Sequence, residues 1–178
     1  MNKLPDLLYL RECFDYNPDT GSLTWSERPR SHFSSKSEYN RYYSRYYGKE
    51  VGRVTSRGYR ELRLNGKHHG CHRIVYKLYY GEDPELYLDH INGDALDNRI
   101  ENIRQCTSTQ NNHNHRISVK NRSGYKGVSI LKNGRYKVSI RIGNEERLHL
   151  GYYTNLEDAA RAYRDAADKY HGEFKNYG

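Results

Sequence analysis

The chain has 178 residues, with 30 Lys and Arg against 22 Asp and Glu, a formal net charge of +8, a sequence pI of about 9.3 and a mean hydropathy of −1.12. Only 35% of residues are apolar, tyrosines included, so modest apolar burial and small modules are expected rather than one large core. No signal peptide and no apolar run long enough to cross a membrane is present. Cys13, Cys71 and Cys106 are odd in number, far apart and form no CxxC pair, so neither a zinc ribbon nor a disulfide scaffold is indicated. Free thiols in a reducing cytoplasm are the simplest expectation. A basic, tyrosine-rich chain suggests a polyanion partner, although excess charge could serve solubility alone.

In chain order, Leu4, Leu7, Leu8 and Leu10 predict a short helix with Pro5 in its first turn. The turn signal Asn17-Pro18-Asp19-Thr20-Gly21 separates two short strands, Phe14-Asp15-Tyr16 and Leu23-Thr24-Trp25. Tyr39, Tyr42, Tyr43, Tyr46 and Tyr47 recur at helical spacing, with Arg41 and Arg45 on another face. Such a helix packs its tyrosines inward or lies along a nucleic-acid backbone, and both could hold, one per face. Residues 51–71 read as strands, with Asn65-Gly66 as a tight hairpin turn. A helix follows from His72 to Gly81, with Ile74, Val75, Leu78 and Tyr79 as its apolar stripe. His68, His69, Cys71 and His72 are neighbours around a turn, and such pairs rarely converge on one ion, so zinc is not expected there.

Residues 88–112, LDHINGDALDNRIENIRQCTSTQNN, organise the rest. They read as strand, wide loop, strand and helix start, with Thr107 as cap and Gln110 three residues on. The path can bring Asp89 and His90 back against Asn111. A carboxylate and an amide oxygen suit a hard cation such as Mg2+, which takes one or two protein ligands and leaves the rest to water and phosphate. A histidine titrates near neutrality and can take a proton from an attacking water. By spacing alone, Asp-His before Asn-Gly is also compatible with a plain turn, and the Asn-rich helix start with a solvated polar face.

This stretch resembles the HNH nuclease family, in the phage homing-endonuclease branch whose third motif residue is Asn. By that resemblance Asp89 and Asn111 would hold the metal, Mg2+ or Mn2+, and His90 would be the general base. Asn102, twelve residues after His90, would tie down the wide loop, with Asn98 as the weaker candidate for that role. A histidine at the position of His72 also occurs in this branch and would support the core. The zinc-binding cysteine pairs of many HNH proteins are absent from the sequence, and this branch does not need them.

Residues 116–124, RISVKNRSG, are basic and poor in apolar residues and read as a linker, either following a DNA groove through Lys120 and Arg122 or simply solvated. A second module follows. Residues 125–130 read as one strand, with Val128 and Ile130 on one face. After the Asn133-Gly134 turn, Tyr136, Val138, Ile140 and Ile142 alternate with Arg135, Lys137, Ser139 and Arg141. Gly143-Asn144 reads as the next turn, and Arg147 and His149 then alternate with Leu148 and Leu150. The pattern predicts a three-stranded antiparallel sheet with one apolar and one cationic face. Thr154-Asn155-Leu156-Glu157 reads as a capping box for a helix whose stripe of Leu156, Ala159, Ala160, Tyr163, Ala166, Ala167 and Tyr170 covers the apolar face. The cationic face could be merely solvated or could enter a DNA groove.

The segments RSGYKGVSI, GRYKVSIRI and LHLGYYTNLEDAARAYRDAADKYHGEF resemble the plant ethylene-response-factor (APETALA-type) DNA-binding domain. By that resemblance Lys126, Arg141, Arg147 and His149 sit where the family contacts DNA, and Arg135 and Lys137 join them on the face pattern. That family often has Trp in place of His149 and Arg in place of Ser129, which leaves the base preference open.

The expected fold is α+β: a ββα-metal nuclease core and a three-stranded antiparallel sheet covered by one helix. The expected divisions are a Tyr-rich region packing on the core (1–60), the HNH core (61–116), a linker (117–124) and the sheet module (125–178). The expected activity is that of a phage-type homing endonuclease, cytoplasmic in its host and more readily a monomer than a dimer. No obligate protein partner is evident. It would hydrolyse one strand of duplex DNA and leave 5′-phosphate and 3′-hydroxyl ends. The alternatives are a DNA-binding regulator with an inactive core and an RNA-binding nucleoprotein.

Overall fold

Asp6 accepts a hydrogen bond from the Leu8 amide and caps helix α1 (Leu7–Cys13), so Pro5 lies ahead of the cap rather than in the first turn. The computed structural model describes residues 3–143 and 146–178. The expected turn at Gly143-Asn144 therefore falls partly outside the described residues. The chain divides into two compact units, Met1–Gln105 and Cys106–Gly178, and mixes helix and strand as an α+β fold.

In the first unit, β1 (Phe14–Tyr16) and β2 (Leu23–Trp25) pair antiparallel across the predicted turn. Helix α2 (Lys36–Arg45) ends one residue before Tyr46. Of its expected tyrosine stripe only Tyr42 is buried, its hydroxyl donating to the Ser26 carbonyl at 2.6 Å, whereas Tyr43, Tyr46 and Tyr47 stay exposed. The helix is too short to turn all five rings inward. Tyr43 and Tyr47 stack on each other instead, with ring centroids 4.5 Å apart. Strands β3 (Arg53–Val54), β4 (Arg60–Leu64) and β5 (Lys67–Gly70) form an antiparallel sheet. Asn65 and Gly66 turn between the last two with φ of 49° and 79°, as a two-residue hairpin of this kind requires.

Helix α3 (Cys71–Tyr80) stops at Gly81, which takes the left-handed conformation at φ 85°. Its buried side is Cys71, Ile74, Val75, Tyr76 and Lys77, and the expected stripe residue Tyr79 is exposed. Lys77 is buried because Asp83 takes its charge at 3.3 Å. Strand β6 (Tyr87–His90) and β7 (Ile103–Cys106) form a two-stranded sheet around the wide loop. One hydrophobic cluster runs through all of this, from Leu10, Phe14 and Leu23 to Leu62, Ile74, Leu88 and Ile103. The N-terminal region and the wide-loop segment therefore share a core.

In the second unit, helix α4 (Ser108–Asn114) is followed by β8 (Val128–Ile130), β9 (Tyr136–Arg141), β10 (Arg147–Tyr153) and helix α5 (Leu156–His171). The strands form an antiparallel sheet with β9 central. Residues 121–124, expected as the end of a linker, are tied to the sheet. Ser123 Oγ donates to the Val128 carbonyl at 2.8 Å and Asn121 Nδ2 to the Tyr125 carbonyl at 2.9 Å.

The strand expected from Tyr125 begins only at Val128. Gly127 sits at φ +72°, where a Cβ would run into the Tyr163 ring and lie 2.6 Å from the Ser139 carbonyl oxygen. Ile130 is exposed on the edge strand, unlike Val128. Val138 and Ile140 of β9 are fully buried against Ala159, Tyr163 and Ala167 of α5. The cap of α5 is Asn155, not Thr154, and its side chain accepts from the Glu157 and Asp158 amides. Tyr170, expected on the apolar stripe, is exposed near the helix end.

Candidate active site and nucleic-acid interface

The wide loop holds its shape through side chains acting on backbone. Asn102, buried, donates from Nδ2 to the Asp97 carbonyl at 2.8 Å and to Asn92 Oδ1 at 3.1 Å, and its Oδ1 accepts from the Asn92 amide at 3.0 Å. Asp97 in turn accepts from Asn92 Nδ2 and from a two-pronged Arg99 guanidinium. The Arg99 hydrogen bonds hold the Asp97 carboxyl well below the usual range, at about 2. The N-terminal hairpin braces the same loop. Tyr16 donates its hydroxyl to the Asn98 carbonyl at 2.8 Å, and the Ile100 amide donates to the Pro18 carbonyl at 3.2 Å.

This bracing orients His90. The imidazole is buried, and its Nε2 lies 3.1 Å from Asn98 Oδ1. An amide oxygen only accepts, so Nε2 carries the proton and Nδ1 is the nitrogen able to accept one. The two loop asparagines thus divide the work: Asn102 ties the loop and Asn98 meets the histidine. Tyr59 and His72 flank the ring, with centroids 6.0 and 5.6 Å away. Burial, helped by the nearby His90 and Arg73, pushes the His72 pKa down to about 3. His72 is therefore neutral near pH 7 and adds no charge beside His90.

Asp89, the residue before, is also buried, and its Oδ2 accepts from Arg104 Nε at 3.0 Å and Nη2 at 2.9 Å. The two side chains are only 7% and 14% exposed, so the pair is largely desolvated. Sequence reasoning missed Arg104, Tyr59 and Tyr16. Nothing in their spacing marks them, because each reaches the site through tertiary pairing.

Asn111 stands on α4, half-buried, and belongs to the second unit, whereas Asp89, His90, Asn98 and Asn102 belong to the first. The expected capping box starts that helix: Thr107 Oγ1 accepts from the Gln110 amide and Gln110 Oε1 from the Thr107 amide. Among the described residues no cluster of three or more His, Cys, Asp or Glu is placed to hold a metal. The donor types the resemblance names, a carboxylate at Asp89 and an amide oxygen at Asn111, are those a hard cation takes.

The cationic face of the second unit follows from strand register. Arg141 lies opposite Arg147, Ser139 opposite His149 and Lys137 opposite Tyr152. A bulge between His149 and Gly151 keeps Tyr152 in this row, and Arg135 lies over the Tyr152 ring, 5.8 Å from its centroid. His149 Nδ1 lies 3.1 Å from the Val138 carbonyl, which aims the ring along the face. Two arginines directly opposite each other repel unless an anion neutralises them. Lys126 differs from the others, for its Nζ donates to the His113 and His115 carbonyls at 2.7 and 2.6 Å.

The HNH endonuclease family model matches residues 69–113. An HNH endonuclease of Acanthamoeba polyphaga mimivirus is 33% identical over 105 residues, 58% of this chain and 54% of the relative. An ethylene-responsive transcription factor of Medicago truncatula is 38% identical over 61 residues, 34% of this chain and 26% of that protein. A protein of Escherichia phage T7 is 34% identical over 62 residues, 34% of this chain and 51% of its own length. The chain thus spans about half or less of the length of these relatives. No solved structure matches. No described helix is long and apolar enough to cross a membrane. The stretch that matches the HNH endonuclease family model, residues 69–113, carries His90 at the end of strand β6.

Proposed function

We propose that this protein is a site-specific, homing-type DNA endonuclease that hydrolyses a phosphodiester bond, acting in the cytoplasm of an infected host. The observation that carries the reading is the buried His90, proton-bearing at Nε2 against Asn98 and adjacent to the Arg104-held Asp89. His90 Nδ1 takes the proton from a water as that water attacks phosphorus. The P–O3′ bond breaks and the 3′ oxygen takes a proton from solvent water, giving 5′-phosphate and 3′-hydroxyl ends. Asp89 and Asn111 would hold one Mg2+ or Mn2+, which supplies charge stabilisation to the phosphate and the leaving oxygen. Asn102 keeps the loop in the shape that presents His90. A monomer with one such site nicks rather than cuts both strands.

The plant transcription-factor match and the row of Arg135, Lys137, Arg141, Arg147 and His149 support duplex DNA as the partner of the second unit. An anionic groove neutralises the opposed arginines. The test is nicking of supercoiled plasmid and source-genome DNA with Mg2+, with Mn2+ and with EDTA. Metal-dependent nicking is expected. Tight, salt-sensitive binding without cutting on any of these substrates would make the protein a regulator instead.

Binding itself carries a second prediction. Four cations on the face give a slope of log K against log salt of roughly −3 to −4. Arg147→Ala is expected to make that slope shallower by about one, measured by fluorescence anisotropy across a salt series. An unchanged slope would remove Arg147 from the DNA contacts.

A further inference from the structure

Lys126 stands apart from the sheet cations because its ammonium reaches the wrong kind of partner for a DNA contact. It meets the His113 and His115 carbonyls, the acceptors that the end of α4 leaves without helical donors. A positive charge at a helix C-terminus is favourable, and removal from water has already lowered the Lys126 pKa to about 8. Two further contacts hold the same helix end. The His113 ring stacks on His171, the last residue of α5, with centroids 3.7 Å apart and planes 11° from parallel. His171 Nε2 in turn lies 2.7 Å from the Arg141 carbonyl on β9, so the stack is bonded to the strand that bears the cationic row. Beyond α5, Asn176 donates from Nδ2 to the Asn114 carbonyl at 2.8 Å. His113, Asn114 and His171 are all buried.

A helix of seven residues has little stability of its own, so these contacts decide where it sits. We propose that Lys126 is a positioning residue which, with the His113–His171 stack and Asn176, fastens α4 and its Asn111 onto the DNA-reading sheet. The unit that grips the duplex thereby carries the third residue of the nuclease motif. This rests on the endonuclease reading for what Asn111 does, but not for the fastening itself.

The experiment compares full-length wild type, Lys126→Met and Arg147→Ala by three readouts: amide hydrogen exchange, duplex affinity and single-turnover nicking. Lys126→Met is expected to speed exchange across residues 108–115 at least tenfold while β9 and β10 keep their protection. Duplex affinity stays within about threefold of wild type, and the nicking rate falls roughly ten- to hundredfold, as a displaced ligand implies. Arg147→Ala shows the reverse pattern, with affinity lost and α4 protected. Unchanged exchange in residues 108–115, or an affinity loss matching Arg147→Ala, overturns the proposal. If Lys126→Met loses protection in the sheet as well, Asn176→Ala supplies the same comparison at a half-buried position outside the sheet. A wild type that nicks nothing with any metal sinks the endonuclease reading, and the exchange data still decide the fastening.

Discussion

Replacing His90 by alanine is expected to slow nicking about 10²- to 10⁴-fold, the range a positioned general base contributes, while duplex affinity is unchanged. The size follows from the way the ring is held. A free imidazole samples many orientations, whereas His90 is buried, bonded at Nε2 to Asn98, and walled by Tyr59 and His72. With Nε2 occupied, only Nδ1 can serve as the base, and no described neighbour stands in for it once the ring is gone. His72 is held neutral by burial but does not occupy the same position against Asn98. Gel assays of plasmid nicking under single-turnover conditions give the rate, and anisotropy gives the affinity. A His90→Ala protein that nicks at the wild-type rate would sink the role assigned to this residue.

The second large effect concerns stability. Arg104→Met removes the guanidinium from a pair in which Asp89 is 7% and Arg104 14% exposed at the side chain. It leaves a carboxylate buried without its cation, which costs about 3–5 kcal/mol. For a chain of this size that corresponds to a drop in Tm of the order of 10 °C. Urea unfolding measures the loss directly, and a shift below about 1 kcal/mol would mean that solvent reaches the pair freely. Asp89→Leu combined with Arg104→Met is expected to recover much of the stability, since an apolar pair of similar volume avoids the desolvation of both charges. The same double variant stays inactive if Asp89 holds metal, so stability and activity separate.

Much of the fold is legible because local signals agree with it. The turn at Asn65-Gly66, the alternation in residues 135–142 and the Thr107–Gln110 capping box each specify structure within a few residues, and each appears where its pattern implies. Where local patterns mislead, a tertiary neighbour is responsible. Tyr125–Gly127 does not extend as strand because Gly127 takes the left-handed conformation at φ +72°, where Tyr163 of α5 and the Ser139 carbonyl approach too closely for any side chain. The tyrosine stripe of residues 39–47 is apolar in spacing, but the helix stops at Arg45 and its cover, Phe33 and Trp25, meets Tyr39, Tyr42 and Tyr46, while Tyr43 and Tyr47 stack on each other.

The sequence by itself determined the α+β class, the order of strands, turns and helices, and the spacing of Asp89, His90, Asn102 and Asn111. Those properties depend on backbone preference, side-chain period and residue chemistry, all of which act over short stretches of chain. Only the tertiary structure decided that Asn98 rather than Asn102 meets His90, that Arg104 holds Asp89, and that Lys126 faces the end of α4 while Arg141 and Arg147 stand opposed on the sheet. Each of those outcomes depends on which groups burial brings together. A desolvated charge or amide takes whatever partner lies within about 3 Å, and the chain's spacing carries no record of that distance.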